Sequence, residues 1–292
     1  MPKRHLFIAL FTVAIWGMNF IFIKLALREI PPITLSALRF LFTALPLVFF
    51  LRRPQVKWFA LIGYGLAIFA VQFGMLFYGM KLGMSAGLAS MVAQTQVFFT
   101  IALSAVFFHE RPKFTKIIGA LIAFSGVALV GFHSSQDVSV PGLILVLIGA
   151  LGWGTGNVVS KSMGPVNSVA LVVWGALIAT PPLSFLAWLL ERNEIAVIDF
   201  AHLSSVTVWS LIYIVYASTH VGFSLWAWLL RQHAASSVAP FTLLVPVFGF
   251  LGSVLILHET LPDWKVHAAL LVVGGLCVNL YNFERLWRRL KL

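Results

Sequence analysis

Long apolar runs, each about as long as a bilayer is thick, dominate this sequence. A transmembrane helix needs about 20 mostly apolar residues, and ten such runs follow one another along the chain. They cover residues 5–24, 34–51, 58–80, 85–108, 115–132, 141–161, 168–190, 206–229, 236–257 and 265–283. The runs are continuous rather than alternating, which favours helices over barrel strands. We therefore predict an all-α, polytopic membrane protein with ten transmembrane helices, because a helix satisfies its own backbone groups in lipid.

The composition excludes an ordinary soluble domain. Hydrophobic residues make up 60% of the 292 residues and charged residues only 10%, whereas soluble proteins contain about 25% charged residues. The first run follows Lys3 and Arg4, as the core of a signal peptide would. It continues to Lys24 without a small-residue cleavage site, so it is better interpreted as the first transmembrane helix.

The sequence lacks the motifs that catalysis or cofactor binding would require. Neither His109-Glu110 nor His258-Glu259 completes an HExxH zinc motif. There is no GxSxG nucleophile elbow and no phosphate-binding loop of the Walker type. The lone cysteine, Cys277, excludes an intrachain disulfide and a cysteine metal cluster. We therefore expect neither an enzyme nor a bound cofactor or metal.

The positive charges lie in the short gaps between the runs, and their distribution predicts the topology. Fourteen Lys and Arg residues fall on the side of the membrane where the chain begins, and five fall on the other side. Cytoplasmic loops are the ones enriched in Lys and Arg, so both termini are predicted to be cytoplasmic. The net charge of +11 thus reflects topology, and we expect no binding of nucleic acid.

Two pairs of matching segments indicate an internal repeat. The segment WGMN at 16–19 recurs as WGTGN at 153–157, with the asparagine displaced by one position. The segment HERP at 109–112 recurs as HETLP at 258–262. The two pairs occur in the same order, at offsets of 137 and 149 residues.

Each half of the chain would then contain five helices. Because five is an odd number, the second half enters the membrane upside down relative to the first. Inverted repeats of this kind are common in secondary transporters, whose substrate sites lie near the middle of the bilayer, between the repeats. The predicted repeats are residues 1–135 and 136–292.

Four segments resemble the EamA-type branch of the drug/metabolite transporter superfamily. They are AIWGMNFIFIK at 14–24, LSALRF at 35–40, GMSAGLASMVAQTQVFFTIALSAVFFHERP at 83–112 and SSVAPFTLLVPVFGFLGSVLILHETLP at 236–262. Within this family the chain resembles bacterial exporters of O-acetylserine and cysteine. The resemblance implies a central cavity between two inverted repeats, export by alternating access and a location in the bacterial inner membrane. The chain differs from the family at His220, where an apolar residue is expected.

Polar side chains within the apolar runs are the candidates for substrate binding, because such groups usually face the bundle interior or a wet cavity. Asn19 and Asn157 occupy near-equivalent places in the two repeats. Their amides could hydrogen-bond a zwitterionic substrate, or they could join helices. Gln94 and Gln96 are two residues apart and so point about 200° apart on an ideal helix. One glutamine is expected to line the pathway and the other to pack, and Gln72 is a further candidate.

The aromatic candidates are the two tryptophans that the repeat matches. The predicted substrate-binding set is Trp16, Asn19, Gln72, Gln94, Gln96, Trp153 and Asn157. Arg39 lies within the second run, where we expect it to extend to the membrane interface, although a contact with a substrate carboxylate is the alternative. His220 could titrate near neutral pH, so it is considered for proton coupling as well as for neutral hydrogen bonding.

The leading prediction is an exporter of small metabolites, with amino acids such as cysteine and O-acetylserine as substrates. Aromatic amino acids or drug-like solutes are the alternative substrates, although the lack of an acidic residue in the middle of a run disfavours cations. A non-transporting assembly factor is the alternative from another class. The expected partners are a small-molecule substrate and the lipid bilayer, and two repeats suffice for a functional monomer.

Overall fold

The computed structural model describes residues 1–109, 111–112, 114–133, 139–233 and 238–280. All regular elements in these ranges are helical. We label them α1 (Lys3–Ala26), α2 (Pro32–Phe49), α3 (Trp58–Lys81), α4 (Ala86–Phe108), α5 (Phe114–Phe132), α6 (Val140–Ser162), α7 (Ser168–Ala196), α8 (Ser205–Ile212, Tyr213–Val221 and Gly222–Gln232 in succession), α9 (Ala239–Leu244 followed by Val245–Leu257) and α10 (Asp263–Leu280). Of these described elements, α1 to α8 are long and apolar enough to cross a membrane, and Val245–Leu257 is a shorter apolar helix.

Within the described residues, the predicted boundaries lie close to those of these helices except at the end of α7. The predicted start of the ninth run at residue 236 and end of the tenth at residue 283 lie outside the described residues. The seventh run was expected to end at residue 190, with Glu191 in a loop, but the helix continues to Ala196. Glu191 is only 2% exposed, because its carboxylate accepts hydrogen bonds from the backbone amides of Ile33 and Thr34, both at 2.8 Å. An acidic residue that signals a loop in the sequence therefore caps the amino end of α2.

Helix packing follows a pattern in which the two halves of the chain are interchangeable. Helix α1 packs on α9 and α8, while α6 packs on α4 and α3. Helix α2 packs on α7, and α5 packs on α10. When α1 to α5 are matched in order with α6 to α10, the contacts of α1 with α9 and α8 correspond to those of α6 with α4 and α3. The contact of α2 with α7 and the contact of α5 with α10 each correspond to themselves.

Glycines at equivalent positions allow two of these helix pairs to approach closely. A Cβ atom on Gly17 of α1 would lie 2.4 Å from the Phe248 Cβ of α9. A Cβ atom on Gly154 of α6 would lie 2.9 Å from the Phe99 Cβ of α4. These residues are related by the same sequence offsets as the two matching segment pairs. Small residues at such crossings are typical of membrane helices, which associate by close packing.

Helices α4 and α9 share an irregular middle and an unusual end. In α4 the regular helix stops at Ala93 and resumes at Gln96. In α9 a 3-10 stretch precedes the regular helix that begins at Val245. His109 and His258 end the two helices in the left-handed conformation, with φ of 55° and 54°. The interruptions in the two helices therefore fall at equivalent places.

Helices α3 and α8 each contain a π-helical stretch. It covers Leu66–Val71 in α3 and Tyr213–Val221 in α8. The wider turn shifts the side chains that follow it, and π-helical turns often occur at functional sites. Gln72 and Phe73 come directly after the stretch in α3, and Thr219 lies within the stretch in α8.

Candidate functional site

A cavity of about 110 Å³ lies where α1, α2, α3, α4, α6, α8 and α9 meet. Its polar and aromatic lining includes Trp16, Asn19, Arg39, Gln72, Phe73, Gln94, Gln96, Trp153, Ser218 and Phe223. None of the described lining residues is acidic. For scale, a cavity of roughly 150 Å³ in an unrelated protein binds benzene, so this volume is of the order that a small organic solute needs.

Six of the seven side chains predicted to bind substrate line this one cavity, although they come from four different helices. Trp16 and Asn19 come from α1, Gln72 from α3, and Trp153 from α6. The two glutamines of α4 complete the set. The seventh residue, Asn157, is not part of the lining. The structure thus brings the predicted residues together, and their role in binding stays a prediction.

The two asparagines that the repeat matches have different surroundings. Asn19 is 6% exposed, and its Oδ1 atom has no hydrogen-bond partner among the described residues. Asn157 instead donates from Nδ2 to Gln96 Oε1 at 3.3 Å and to Thr100 Oγ1 at 3.1 Å. Asn19, which lines the cavity, therefore has a buried and unused amide oxygen, whereas Asn157 joins α6 to α4.

Both glutamines of α4 line the cavity, so the prediction that only one of them would do so is wrong. That prediction assumed an uninterrupted helix with 100° between residues. The helix is instead interrupted at Gln94 and Thr95, where the amides bond to carbonyls three residues back. Gln96, at the start of the next segment, lines the cavity and also accepts the hydrogen bond from Asn157.

The indole of Trp16 is fixed by α8. Its Nε1 atom donates to the Ser218 carbonyl oxygen at 3.1 Å, and that residue lies in the π-helical stretch. Its ring contacts Phe223 and Trp226, with centroids 5.5 Å and 5.2 Å away. On the α6 side, the Trp153 ring lies 6.4 Å from that of Phe73. The two tryptophans therefore form aromatic walls in two different helix environments.

Arg39 does not extend to the interface as the sequence suggested, because its side chain is 2% exposed and lines the cavity. The guanidinium carbon lies 4.1 Å from the ring centroid of Phe73, a cation–π distance. The Nη2 atom donates to the Thr219 hydroxyl at 3.1 Å. Arg39 thus belongs to the candidate site. The feature of the sequence that could have indicated this is an arginine flanked by apolar residues, Leu38 and Phe40.

His220 lies outside this cavity. It borders a separate, very small cleft beside Ser168 and Phe223, and its ring centroid lies 5.7 Å from that of Tyr216. It is adjacent in sequence to Thr219, whose hydroxyl accepts from Arg39. The two alternatives for His220, proton coupling and neutral hydrogen bonding, are left to experiment.

Two consecutive segments, residues 3–132 and 140–281, each match the EamA-like transporter family. The chain belongs to this family. As an EamA-like transporter with several helices able to cross a bilayer, it is a multi-pass protein of the inner membrane. The two matched segments fall on either side of the gap between α5 and α6.

Curated relatives extend the likeness over nearly the whole chain. A probable amino-acid metabolite efflux pump of Salmonella typhimurium is 38% identical over 97% of this chain and 97% of its own length. A protein of the same description from Escherichia coli is 36% identical over 99% of this chain and 98% of its own. A solved crystal structure shares the fold, with a TM-score of 0.65 and 19% identity over the full length of both chains.

Proposed function

We propose that this EamA-like transporter exports small amino acids and related metabolites, such as cysteine and O-acetylserine, from the cytoplasm. The observation that supports this most is the single cavity, to which both halves of the chain contribute polar and aromatic side chains. The similarity to proteins named amino-acid metabolite efflux pumps supports the same class of substrate.

The chemistry of the cavity fits a small zwitterion. Amide groups both donate and accept hydrogen bonds, so Asn19, Gln72 and the glutamines of α4 can bind either end of an amino acid. Trp16 and Trp153 provide indole rings, which attract ammonium groups through their faces. The cavity volume favours short side chains, such as those of cysteine and O-acetylserine, over large drug-like solutes.

The proposed architecture is ten transmembrane helices in two inverted repeats, residues 1–135 and 136–292, with both termini in the cytoplasm. Three observations support the repeats: the interchangeable helix pairs, the matched Gly17 and Gly154 crossings, and the matched left-handed ends of α4 and α9. The excess of Lys and Arg in the proposed cytoplasmic segments supports the orientation.

Alternating access would require parts of the bundle to move relative to one another around the cavity. The interruptions in α4 and α9 lie beside the cavity, at Gln94 and before Val245. Discontinuous helices at the middle of the bilayer are a common feature of secondary transporters. We propose that these two interruptions act as the hinges, with the close glycine crossings preserving each helix pair as a unit.

The experiment is uptake of labelled cysteine and O-acetylserine into proteoliposomes, with and without an imposed pH gradient. Saturable flux through the purified full chain, absent from empty vesicles, is the expected result. Unlabelled substrate in excess should compete. Vesicles that contain folded protein and transport neither compound nor any other amino acid would contradict the proposed function.

A further inference from the structure

Among the residues that the structure describes, no acidic side chain pairs with the buried guanidinium of Arg39. The side chain is 2% exposed, and no salt bridge to it occurs within the ranges that the structure describes. Its Nε and Nη1 atoms have no hydrogen-bond partner among those residues. An unpaired charge inside a membrane protein is costly, and such residues usually mark a substrate or ion pathway.

The buried carboxylate of Glu191, in the helix that packs on α2, bonds to other groups than Arg39. Glu191 of α7 accepts from the Ile33 amide through Oε1. Its Oε2 atom accepts from both the amide and the hydroxyl of Thr34, at 2.8 Å and 2.7 Å. Glu191 is therefore committed to the amino end of α2, more than one helical turn before Arg39.

Two π-helical stretches orient the guanidinium instead. Thr219 accepts from Arg39 Nη2 and donates its own hydroxyl hydrogen to the Ile214 carbonyl, five residues back, at 2.8 Å. Phe73, which follows the stretch in α3, lies under the guanidinium. The rings of Phe40 and Phe77 lie further from the guanidinium carbon, at 5.6 Å and 5.9 Å. One donor atom of Arg39 is thus occupied, while those on Nε and Nη1 have no partner among the described residues.

We propose that Arg39 binds the carboxylate of the transported solute, so that a carboxylate is an obligatory feature of the substrate class. The inference rests on the proposed export function and narrows it. The ammonium group would bind the carbonyl oxygens of Asn19 and Gln72, since both Oδ1 and Oε1 are buried without a partner among the described residues. One zwitterion would thereby satisfy the unused donors of Arg39 and the unused acceptors of Asn19 and Gln72.

The test is calorimetric binding to the purified full chain in detergent micelles, with matched probes. Cysteine and O-acetylserine are compared with their carboxamides, and propanoate serves as a carboxylate without an amino group. Hydrogen bonds to a charged group contribute enough to predict a preference of about 10- to 100-fold for the acid over the amide. Arg39→Gln should reduce that ratio to near one, while Arg52→Gln, at an exposed arginine, should leave it unchanged.

Each outcome decides between the alternatives. Two outcomes overturn the inference and leave the export function standing. One is equal binding of acid and amide by the unaltered chain, and the other is a preference for the acid that persists in Arg39→Gln. If Arg39→Gln does not fold, a second variant, Thr219→Val, replaces it. This variant removes the hydroxyl that accepts from Arg39, so it should lower the ratio of acid binding to amide binding. An unchanged ratio counts against the inference. Binding of propanoate without any amino acid contradicts the export function alone, and binding of none of the probes overturns both.

Discussion

The α1 side and the α6 side of the cavity begin from nearly the same sequence and end with different chemistry. Each helix contributes a tryptophan to the cavity wall and a glycine to a close crossing with its partner helix. They differ at the asparagine. Asn19 lines the cavity and has a buried amide oxygen without a partner among the described residues, whereas Asn157 bonds to Gln96 and Thr100 of α4.

The difference follows from helix geometry. The asparagine is one position further from the tryptophan in the second half than in the first, and one residue turns a side chain by about 100°. That turn moves the amide from the cavity to the neighbouring helix. The two halves therefore share the close helix crossing at the glycine. They differ because a shift of one residue turns the asparagine from a candidate substrate-binding side chain into a contact between helices.

The largest effect is expected where the two halves cap equivalent helices in different ways. Helix α2 is capped by the buried Glu191 of α7, and α7 is capped by its own exposed Asn167. Glu191→Ala would leave several buried donors of α2 unpaired, so we expect it to lower the free energy of unfolding by about 2 to 3 kcal/mol. Asn167→Ala should cost only about 1 kcal/mol.

Thermal unfolding of the purified variants in detergent measures this difference. Glu191→Gln is the matched control, since it keeps an acceptor and should retain part of the stability. Equal costs for Glu191→Ala and Asn167→Ala would show that the cap from α7 adds nothing beyond an ordinary cap.

The next effect concerns the glycine crossings. Gly17→Ala places a methyl group closer to its neighbour than Gly154→Ala does, 2.4 Å against 2.9 Å. Overpacking costs about 1 to 3 kcal/mol, and we expect Gly17→Ala to fall at the upper end and Gly154→Ala at the lower end. Gly274→Ala, where the methyl group would meet nothing within 4 Å, is the control. The same unfolding assay applies, and a larger cost for Gly154→Ala than for Gly17→Ala would contradict the expected order.

The asparagines should separate function from stability. Because Asn19 has an unused acceptor at the cavity, Asn19→Ala is expected to reduce flux about tenfold, which corresponds to roughly 1.4 kcal/mol, without a change in unfolding. Asn157→Ala removes a contact between helices and should lower stability by about 0.6 to 1.7 kcal/mol, with a smaller loss of flux. Flux into proteoliposomes and thermal unfolding, measured on the same preparations, check both statements.

The smallest effect is expected at His220. Its ring is outside the cavity lining and borders a separate cleft, so its charge cannot contact a solute bound beside Arg39. We expect His220→Gln to change flux less than about twofold at any imposed pH gradient. Loss of the pH-gradient dependence in this variant would establish His220 as the coupling group and contradict this expectation.

The sequence predicted most of the fold because apolar length alone locates helices in a membrane protein. Six of the seven residues predicted from the sequence line one cavity, because polar groups within a membrane usually face the bundle interior rather than lipid. The prediction was wrong about Gln94 and Gln96 because the interruption of α4 depends on tertiary packing, which a periodic pattern does not contain.

The sequence was also wrong where a charged residue has two possible environments. Arg39 was expected at the interface, and Glu191 was expected in a loop. Both are 2% exposed, and what buries them is a contact from a distant part of the chain: Thr219 for Arg39 and the amino end of α2 for Glu191. Contacts between residues more than a hundred positions apart are not visible in local sequence patterns.

Thiol labelling at the two asparagines tests the central claim, the unequal roles of α1 and α6, most directly. Cys277 is the only cysteine of the chain, so Cys277→Ser provides a background without thiols. In that background the Asn19→Cys variant should react with a small water-soluble thiol reagent, and cysteine-free substrates such as O-acetylserine should protect it. The Asn157→Cys variant lies outside the cavity lining, so the same solute should not protect it. Equal protection at both positions would contradict the account.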